Sequence, residues 1–369
     1  MNRRRFLGFP LAALPLLHAS GGASGVDYAQ VMPGKALRFP ADEGSHPDFK
    51  IEWWYATGWL YSEGKRADVS SNNIEDAKGF QITFFRSRAF ETRGNPSRFA
   101  PDHVLIAHAA FSDPRRGRLL TEQRIERVGF GLAEARQDMT DVLLDGWSLR
   151  AQGDSLRAFI NGRHLGFDLA LRRTQAPLLQ GDRGYSRKGP APQSASYYYS
   201  LPHLAVDGTV QAEGSSFRMT GTAWFDHEWS TAYLDPAASG WDWIGINLDD
   251  GGALMSFRMR ARSGGALWAG ATLRSADGRT RSYTPSQIAW QPLREWRSSR
   301  TGTSYPVSWQ VRVSELTIEL EPLMDDQEND ARATAGAVYW EGAVTARAGG
   351  QAIGRGYLEL TGYGRALRM

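Results

Sequence analysis

The chain of 369 residues contains no cysteine. Disulfides and cysteine-held cofactors are therefore excluded, and stability must come from packing, which a chain of this length can supply. An excess of charge is lacking too. The 43 basic and 40 acidic residues leave a net +3, and three of the arginines stand together at positions 3 to 5, so no basic stripe remains for nucleic acid. Long apolar runs are missing. The mildly apolar stretch "FPLAALPLLHAS" is too short and too broken by proline to span a bilayer. Histidine is sparse, at 7 residues. "HEWST" from His227 fails the zinc-protease pattern at its last position, and no spacing assigns a metal. There is no Gly-x-Ser-x-Gly elbow, since "GYSRKG" does not make one.

What is abundant is glycine, 40 residues, and aromatic side chains, 11% of the chain. Alternating runs bounded by Gly, Asp and Ser dominate, among them "FQITFFRSR", "VLIAHAAFS", "SFRMTGTAWF", "ALMSFRMRAR" and "VSWQVRVSELTIEL". This pattern predicts an antiparallel all-β protein. It also repeats. Residues 53–64, "WWYATGWLYSEG", align without a gap on 241–252, "WDWIGINLDDGG", matching Trp53 to Trp241, Tyr55 to Trp243 and Leu60 to Leu248. Phe85-Arg86 then corresponds to Phe257-Arg258. "GTAWFDHEWS" from Gly221 aligns with "GRGYLELTGY" from Gly354. Two barrels or sandwiches in tandem are expected, over about 35–235 and 236–369. The stretches 70–79 and 180–193 read as loops, the second over a barrel mouth or between the domains.

At the N-terminus, Arg3-Arg4, one spacer and Phe6-Leu7 ahead of the apolar run resemble a twin-arginine export signal over residues 1–23. Cleavage between Ser20 and Ser24 and a periplasmic location are the corresponding expectations.

As a strand, "GTAWFDHEWS" turns Phe225, His227 and Trp229 to one side and Trp224, Asp226 and Glu228 to the other. A titratable group beside an indole in an apolar cavity suits hydration of a carbon–carbon double bond. That chemistry needs an acid, an aromatic face for the cation and a positioned water, and no cofactor. The plain alternative for His227 is a satisfied histidine at a barrel rim. Trp53, Tyr55 and Trp59 share one face of their strand, with Glu52, Trp54 and Leu60 on the other. Asp242 shares a face with Ile244, Ile246 and Leu248, where an acid is either wetted at the strand end or paired with an arginine such as Arg258 or Arg260. Trp53, Trp54, Tyr55, His108, Trp241 and Trp243 are the candidate ligand contacts. His46, His108 and Asp113 are strand-end residues that could gather at the mouth that holds His227.

"HPDFKIEWWYATGWL", "AWFDHEWS", "GWDWIGINLDDG", "YWEGAV" and "GYLELTGY", in this order, resemble the AttH/carotenoid 1,2-hydratase-like family. The resemblance implies two tandem lipocalin-like antiparallel β-barrels. Members are variously called carotenoid hydratases, predicted secreted hydrolases and partners of ABC-transporter permeases. The hydratases' His-x-Trp element matches His227 and Trp229. Their Tyr-x-Asp element, which carries the proton donor, would fall in "GGALMSFRMR", which has neither residue, leaving Asp226, Glu228 or Asp242 for that task. The expectation is an exported protein that binds an apolar or amphipathic, lipid- or isoprenoid-like ligand in a barrel cavity or interdomain groove, with an ABC-transporter permease as candidate partner. The alternative is a cofactor-independent hydratase-like lyase or hydrolase using His227 with a nearby carboxylate.

Overall fold

Residues 28–64, 76–88, 97 and 100–367 are described in a computed structural model. The export segment 1–23 and most of the loop at 70–79 lie outside the described residues. The period-two runs form strands, as their alternation requires. The first sheet holds β1 (Ile51–Ser62), β2 (Lys78–Arg88), β3 (His103–Ser112), β4 (Leu120–Arg127), β5 (Ala133–Ala135), β6 (Asp141–Leu144) and β7 (Trp147–Gln152). It continues with β8 (Ser155–Asn161), β9 (Leu165–Arg172), β10 (Leu178–Leu179), β11 (Tyr185–Arg187), β12 (Ala195–Ala212) and β13 (Ser215–Ser230). The second sheet holds β14 (Ala238–Leu248), β15 (Ala253–Ala261), β16 (Ala266–Arg274), β17 (Thr280–Tyr283) and β18 (Ile288–Arg297). Its remaining strands are β19 (Ser304–Val313), β20 (Leu316–Pro322), β21 (Glu328–Ala331), β22 (Ala337–Ala348) and β23 (Gln351–Leu360).

Both sheets are antiparallel and follow one plan. The first runs β4-β3-β2-β1-β13-β12-β9-β8-β7-β6-β5, the second β17-β16-β15-β14-β23-β22-β20-β19-β18. In each, the last strand returns to pair with the first. The sheet ends curl together, β4 packing on β6 and β9, and β16 meeting β18. The architecture is all-β, two barrels in tandem. Among the described residues no helix is long and apolar enough to cross a membrane.

The internal repeat holds at the level of hydrogen-bond register. Leu60 pairs with Gly221 in the first barrel, and Leu248 pairs with Gly354 in the second. One expected correspondence needs correction. Trp53 lies opposite Phe85, but Trp241 lies opposite Met259, so Phe85-Arg86 and Phe257-Arg258 are displaced by two residues. A shift of two keeps the same face, which is why sequence periodicity did not betray it.

Even-numbered residues of β1 (Trp54, Ala56, Leu60) enter the first barrel's core with Phe225 and Trp229 of β13. Their odd-numbered neighbours Tyr55 and Trp59 join a separate core with Trp224, Trp243 and Tyr357, formed between the barrels. The barrels thus pack back to back through β1, β13, β14 and β23. Contact is close: a Cβ added at Gly245 would lie 2.9 Å from the Trp224 ring. Trp59 Nε1 donates to the carbonyl of Gly356 at 3.0 Å, and Arg355 to the Tyr61 hydroxyl at 2.7 Å.

The segment 180–193 lies between the barrels but is not wholly loop, since β11 within it pairs with β12. Gly181 bonds Thr272 and Ser282 of the second barrel. A β-bulge between Leu201 and Leu204 gives His203 a positive φ of 54°. Its ring turns to the Gly252 carbonyl at 2.7 Å, away from His227.

Candidate active site

The alternation of β13 divides its polar residues between two environments. His227 points into the first barrel, where its ring is fully buried. Its Nε2 donates to Glu52 Oε1 at 2.9 Å, and its Nδ1 meets the Tyr199 hydroxyl at 3.3 Å. The tautomer is assigned from these partners. His46, from the segment preceding β1, reaches the same carboxylate oxygen through Nδ1 at 2.8 Å and Asp42 through Nε2 at 3.2 Å. It stacks on Trp229 with centroids 3.7 Å apart. Arg86 of β2 donates Nε to Glu52 Oε2 at 2.9 Å and spends its other donors on the carbonyls of His46 and Phe49 and on His103. Burial opposes the charge on Glu52, but Arg86 and the two imidazoles hold it well below the usual carboxylate range. Burial also opposes the charge on His46, yet its bonds to Asp42 and Glu52 raise it, whereas burial lowers His227. The two imidazoles that share this carboxylate are thus pushed in opposite directions, His46 toward its charged form and His227 toward its neutral one.

His46 Nδ1, Glu52 Oε1 and His227 Nε2 lie within 4.8 Å of one another, a donor set that could hold a divalent ion. The same atoms also make hydrogen bonds to one another, and each charged group of the cluster has a partner. The cluster is a compensated hydrogen-bond network at the barrel end. Asp242 plays the corresponding part in the second barrel. It is fully buried and clamped by Arg258 at 2.6 Å, by Arg260, and by the Tyr363 hydroxyl at 2.9 Å.

The opposite face of β13 borders a cavity of about 390 Å³ between the barrels. Trp53, Tyr55, Phe85, His108, Asp226 and Glu228 contribute from the first barrel. Trp241, Trp243, Tyr339, Glu341 and Glu359 contribute from the second. Trp54, His227, Trp229 and Asp242 are not among the lining residues. Trp54 instead stacks on His227 inside the first barrel, with centroids 5.0 Å apart. His46 reached His227 as the sequence allowed, whereas His108 went to the interdomain side. There His108 Nε2 bonds Thr334 at 2.9 Å, and its Nδ1 bonds the Tyr339 hydroxyl at 2.8 Å. Burial lowers its pKa to about 4, so the ring is neutral. Asp113 ends its own strand and pairs with Lys78 at 2.7 Å.

Four carboxyl groups meet at this cavity, Asp226, Glu228 and Glu341 buried and Glu359 half-buried. Asp226 accepts from Tyr198 at 2.6 Å, from Ser200 at 2.5 Å and from Trp224 Nε1 at 2.7 Å. Burial outweighs these donors and lifts it to about 7. Trp243 of the second barrel donates to the Tyr198 hydroxyl at 3.0 Å, which couples Asp226 to the partner sheet. Glu359 occupies the position of Asp226 in the repeat, and it too is raised to about 7 by burial, with one bond from Trp241 Nε1 at 3.1 Å. Glu341 sits directly opposite Glu359 across β22 and β23. Like charges in that position repel, and burial together with Glu359 drives Glu341 well above the usual range. Glu341 Oε1 and the Tyr55 hydroxyl are buried and face one another without closing a well-formed hydrogen bond. Glu228 bonds Ser196 and pairs with Lys188 at 2.8 Å; burial raises Glu228, and Lys188 offsets part of that.

Sequence reasoning singled out Asp226 and Glu228 but missed Glu341, Glu359, Tyr339 and Lys188. The repeat held a signal for one of them, because it places Glu359 on Asp226. Lys188 was hidden in a stretch read as loop. Tyr339 and Glu341 stood in the quoted "YWEGAV", but that Glu341 meets Glu359 shows only in the pairing of β22 with β23.

The AttH-like family model matches residues 30–363. A solved structure of an AttH from Nitrosomonas europaea is 50% identical and superposes with a TM-score of 0.83, covering 91% of this chain and 99% of that one. Kievitone hydratase from Nectria haematococca is 14% identical, with a TM-score of 0.66 over 90% of this chain and 95% of its own. CghA, solved with Sch210972, is 11% identical, with a TM-score of 0.54 over 92% and 97%. The last two likenesses are of fold. No curated protein matches the chain in sequence.

Proposed function

The chain belongs to the AttH-like family, and on that premise we propose that its interdomain cavity binds an apolar, unsaturated molecule and hydrates it by acid catalysis. The observation that carries this reading is a set of carboxyls, Asp226, Glu341 and Glu359, held toward the protonated form in an aromatic-walled cavity. Passive binding of an apolar ligand gains nothing from burying three acids, each of which costs free energy to desolvate. An acid catalyst needs such groups, with a pKa near the working pH.

In the proposed step a carboxyl proton passes to one carbon of a double bond, forming a C–H bond and leaving a carboxylate beside a carbocation. The oxygen of a water molecule bonds to the cation, and the water's surplus proton goes to a carboxylate. Glu228 suits that acceptance, because Lys188 favours its charged form. A carboxylic acid can protonate only alkenes that give stabilised cations, so tertiary or conjugated isoprenoid-like substrates fit. The faces of Trp53, Trp241 and Trp243 supply stabilisation of about 2 kcal/mol or more when desolvated. That kievitone hydratase shares the fold is consistent with the fold hosting hydration.

The test incubates the protein in oxygen-18 water with terminally unsaturated isoprenoids and follows incorporation by mass spectrometry. Gain of one labelled water is expected, falling about 10²- to 10⁴-fold in Asp226→Asn or Glu359→Gln. A His227→Gln variant that abolished turnover while the carboxyl variants retained it would overturn the assignment. We also propose that the protein works outside the cytoplasm, from Arg3-Arg4 and the apolar run behind them. Replacing both arginines with lysine should then retain it in the cytoplasm on cell fractionation.

A further inference from the structure

We infer that the interdomain cavity selects organic cations, an ammonium centre on an apolar body, over neutral molecules of the same shape. The inference rests on the reading above, since a stable ammonium ion occupies the place of the reaction's carbocation. Geometry supports it in three ways. Glu341 Oε1 and the Tyr55 hydroxyl are buried at the cavity and face only one another, without closing a well-formed hydrogen bond, so a positive centre or donor there would satisfy acceptor capacity the fold leaves open. The aromatic walls come from both barrels, with Trp53, Phe85, Trp241 and Trp243 around one space, and aromatic faces attract cations. Charge is the third. Lys50 and Arg86 are the cationic residues among those that line the cavity, against the carboxyls Asp226, Glu228, Glu341 and Glu359, and Arg86 is committed to Glu52.

The protein already builds such a cage for a cation of its own. The Lys188 ammonium, buried beside Glu228, lies 4.2 Å from the Phe257 ring, 4.7 Å from Tyr198 and 5.3 Å from Tyr233. The interdomain cavity repeats the recipe of carboxylate and rings without a resident cation for Glu341 and Glu359.

Binding must be linked to proton release. The groups that face Glu341 and Glu359 are Tyr55, Tyr339, Tyr357, Tyr233, Asp226, Asp242 with its arginines, and Glu228 with Lys188. A cation displaces the proton that these acids retain, so affinity should rise with pH until they are ionised.

The probes are trimethylanilinium, which carries no titratable proton, and its neutral isostere tert-butylbenzene, both followed by tryptophan fluorescence. At about pH 8 the cation is expected to bind at least about tenfold tighter, and to weaken by up to about tenfold per pH unit below about 7. Glu341→Gln and Glu359→Gln should each erase most of the preference, with melting curves confirming that they fold. Equal binding of the two probes, or no binding of the cation at any pH, would overturn the inference. Labelled-water incorporation without cation preference would sink this inference and spare the hydratase reading. Cation preference without incorporation would do the reverse.

Discussion

The acids inside the barrels and those between them come from the same strands but are treated in opposite ways. Glu52 and Asp242 point inward, and each is met directly across the sheet by an arginine, Arg86 and Arg258. Asp226 and Glu341 are buried and Glu359 half-buried, yet no ion pair to them is found among the described residues. Buried charges with complete partners stabilise or specify a fold. Buried acids left short of cations keep their protons, which is a costly arrangement unless the proton is used. The contrast is sharpest on β13, where His227 lies between Asp226 and Glu228 in sequence. In space it sits on the opposite face, inside a network of settled hydrogen bonds.

The largest effect expected of this contrast concerns Arg86. Arg86→Met removes the guanidinium that faces the buried Glu52, leaving it only the two imidazoles, and should cost about 3–5 kcal/mol in denaturant unfolding. A cost below about 1 kcal/mol would erase the distinction between the two sets of acids.

The pH dependence comes next. Asp226 and Glu359 are protonated in the fold up to about 7, whereas in the unfolded chain they ionise near about 4. Between those values the native state holds more protons than the unfolded state, so stability falls as pH rises through that window. The slope is about 1.4 kcal/mol per pH unit for each carboxyl, and it levels off above about 7. Glu359→Gln should flatten that slope in thermal melts, while Glu52, held low by Arg86, contributes stability that disappears only in acid.

The smallest effect belongs to His227. His227→Gln gives up its bond to Glu52 and should lose roughly 1–2 kcal/mol, leaving ligand binding at the interdomain cavity unchanged by fluorescence titration.

Much of the fold was legible because strand periodicity is a local property. The alternation of "WWYATGWL" and "AWFDHEWS" assigned their faces correctly, and two aligned glycines, Gly221 and Gly354, anticipated the strand register of both barrels. The expectation that Asp242 pairs with Arg258 or Arg260 followed from burying an acid on an apolar face, and both arginines reach it. The site was less legible, because it is made by packing one barrel on the other. The sequence shows that Asp226 and His227 point apart, but not which face meets the second barrel. Nor does it show that Glu341 and Glu359 stand side by side, since 17 intervening residues turn back through a hairpin. His46 reaches Glu52 and His227 only because the segment before β1 folds over the barrel end.

The ionisation of the interdomain acids is the most direct measure of the account, and infrared spectroscopy separates carboxylic acid from carboxylate. At about pH 6, where ordinary side-chain acids are ionised, the account predicts a protonated-carboxyl band that fades toward about pH 8. The band should be missing from the combined Asp226→Asn, Glu341→Gln, Glu359→Gln variant. A wild-type spectrum with no such band above about pH 5 would mean that the interdomain acids are as fully charged as Glu52, and would contradict the account.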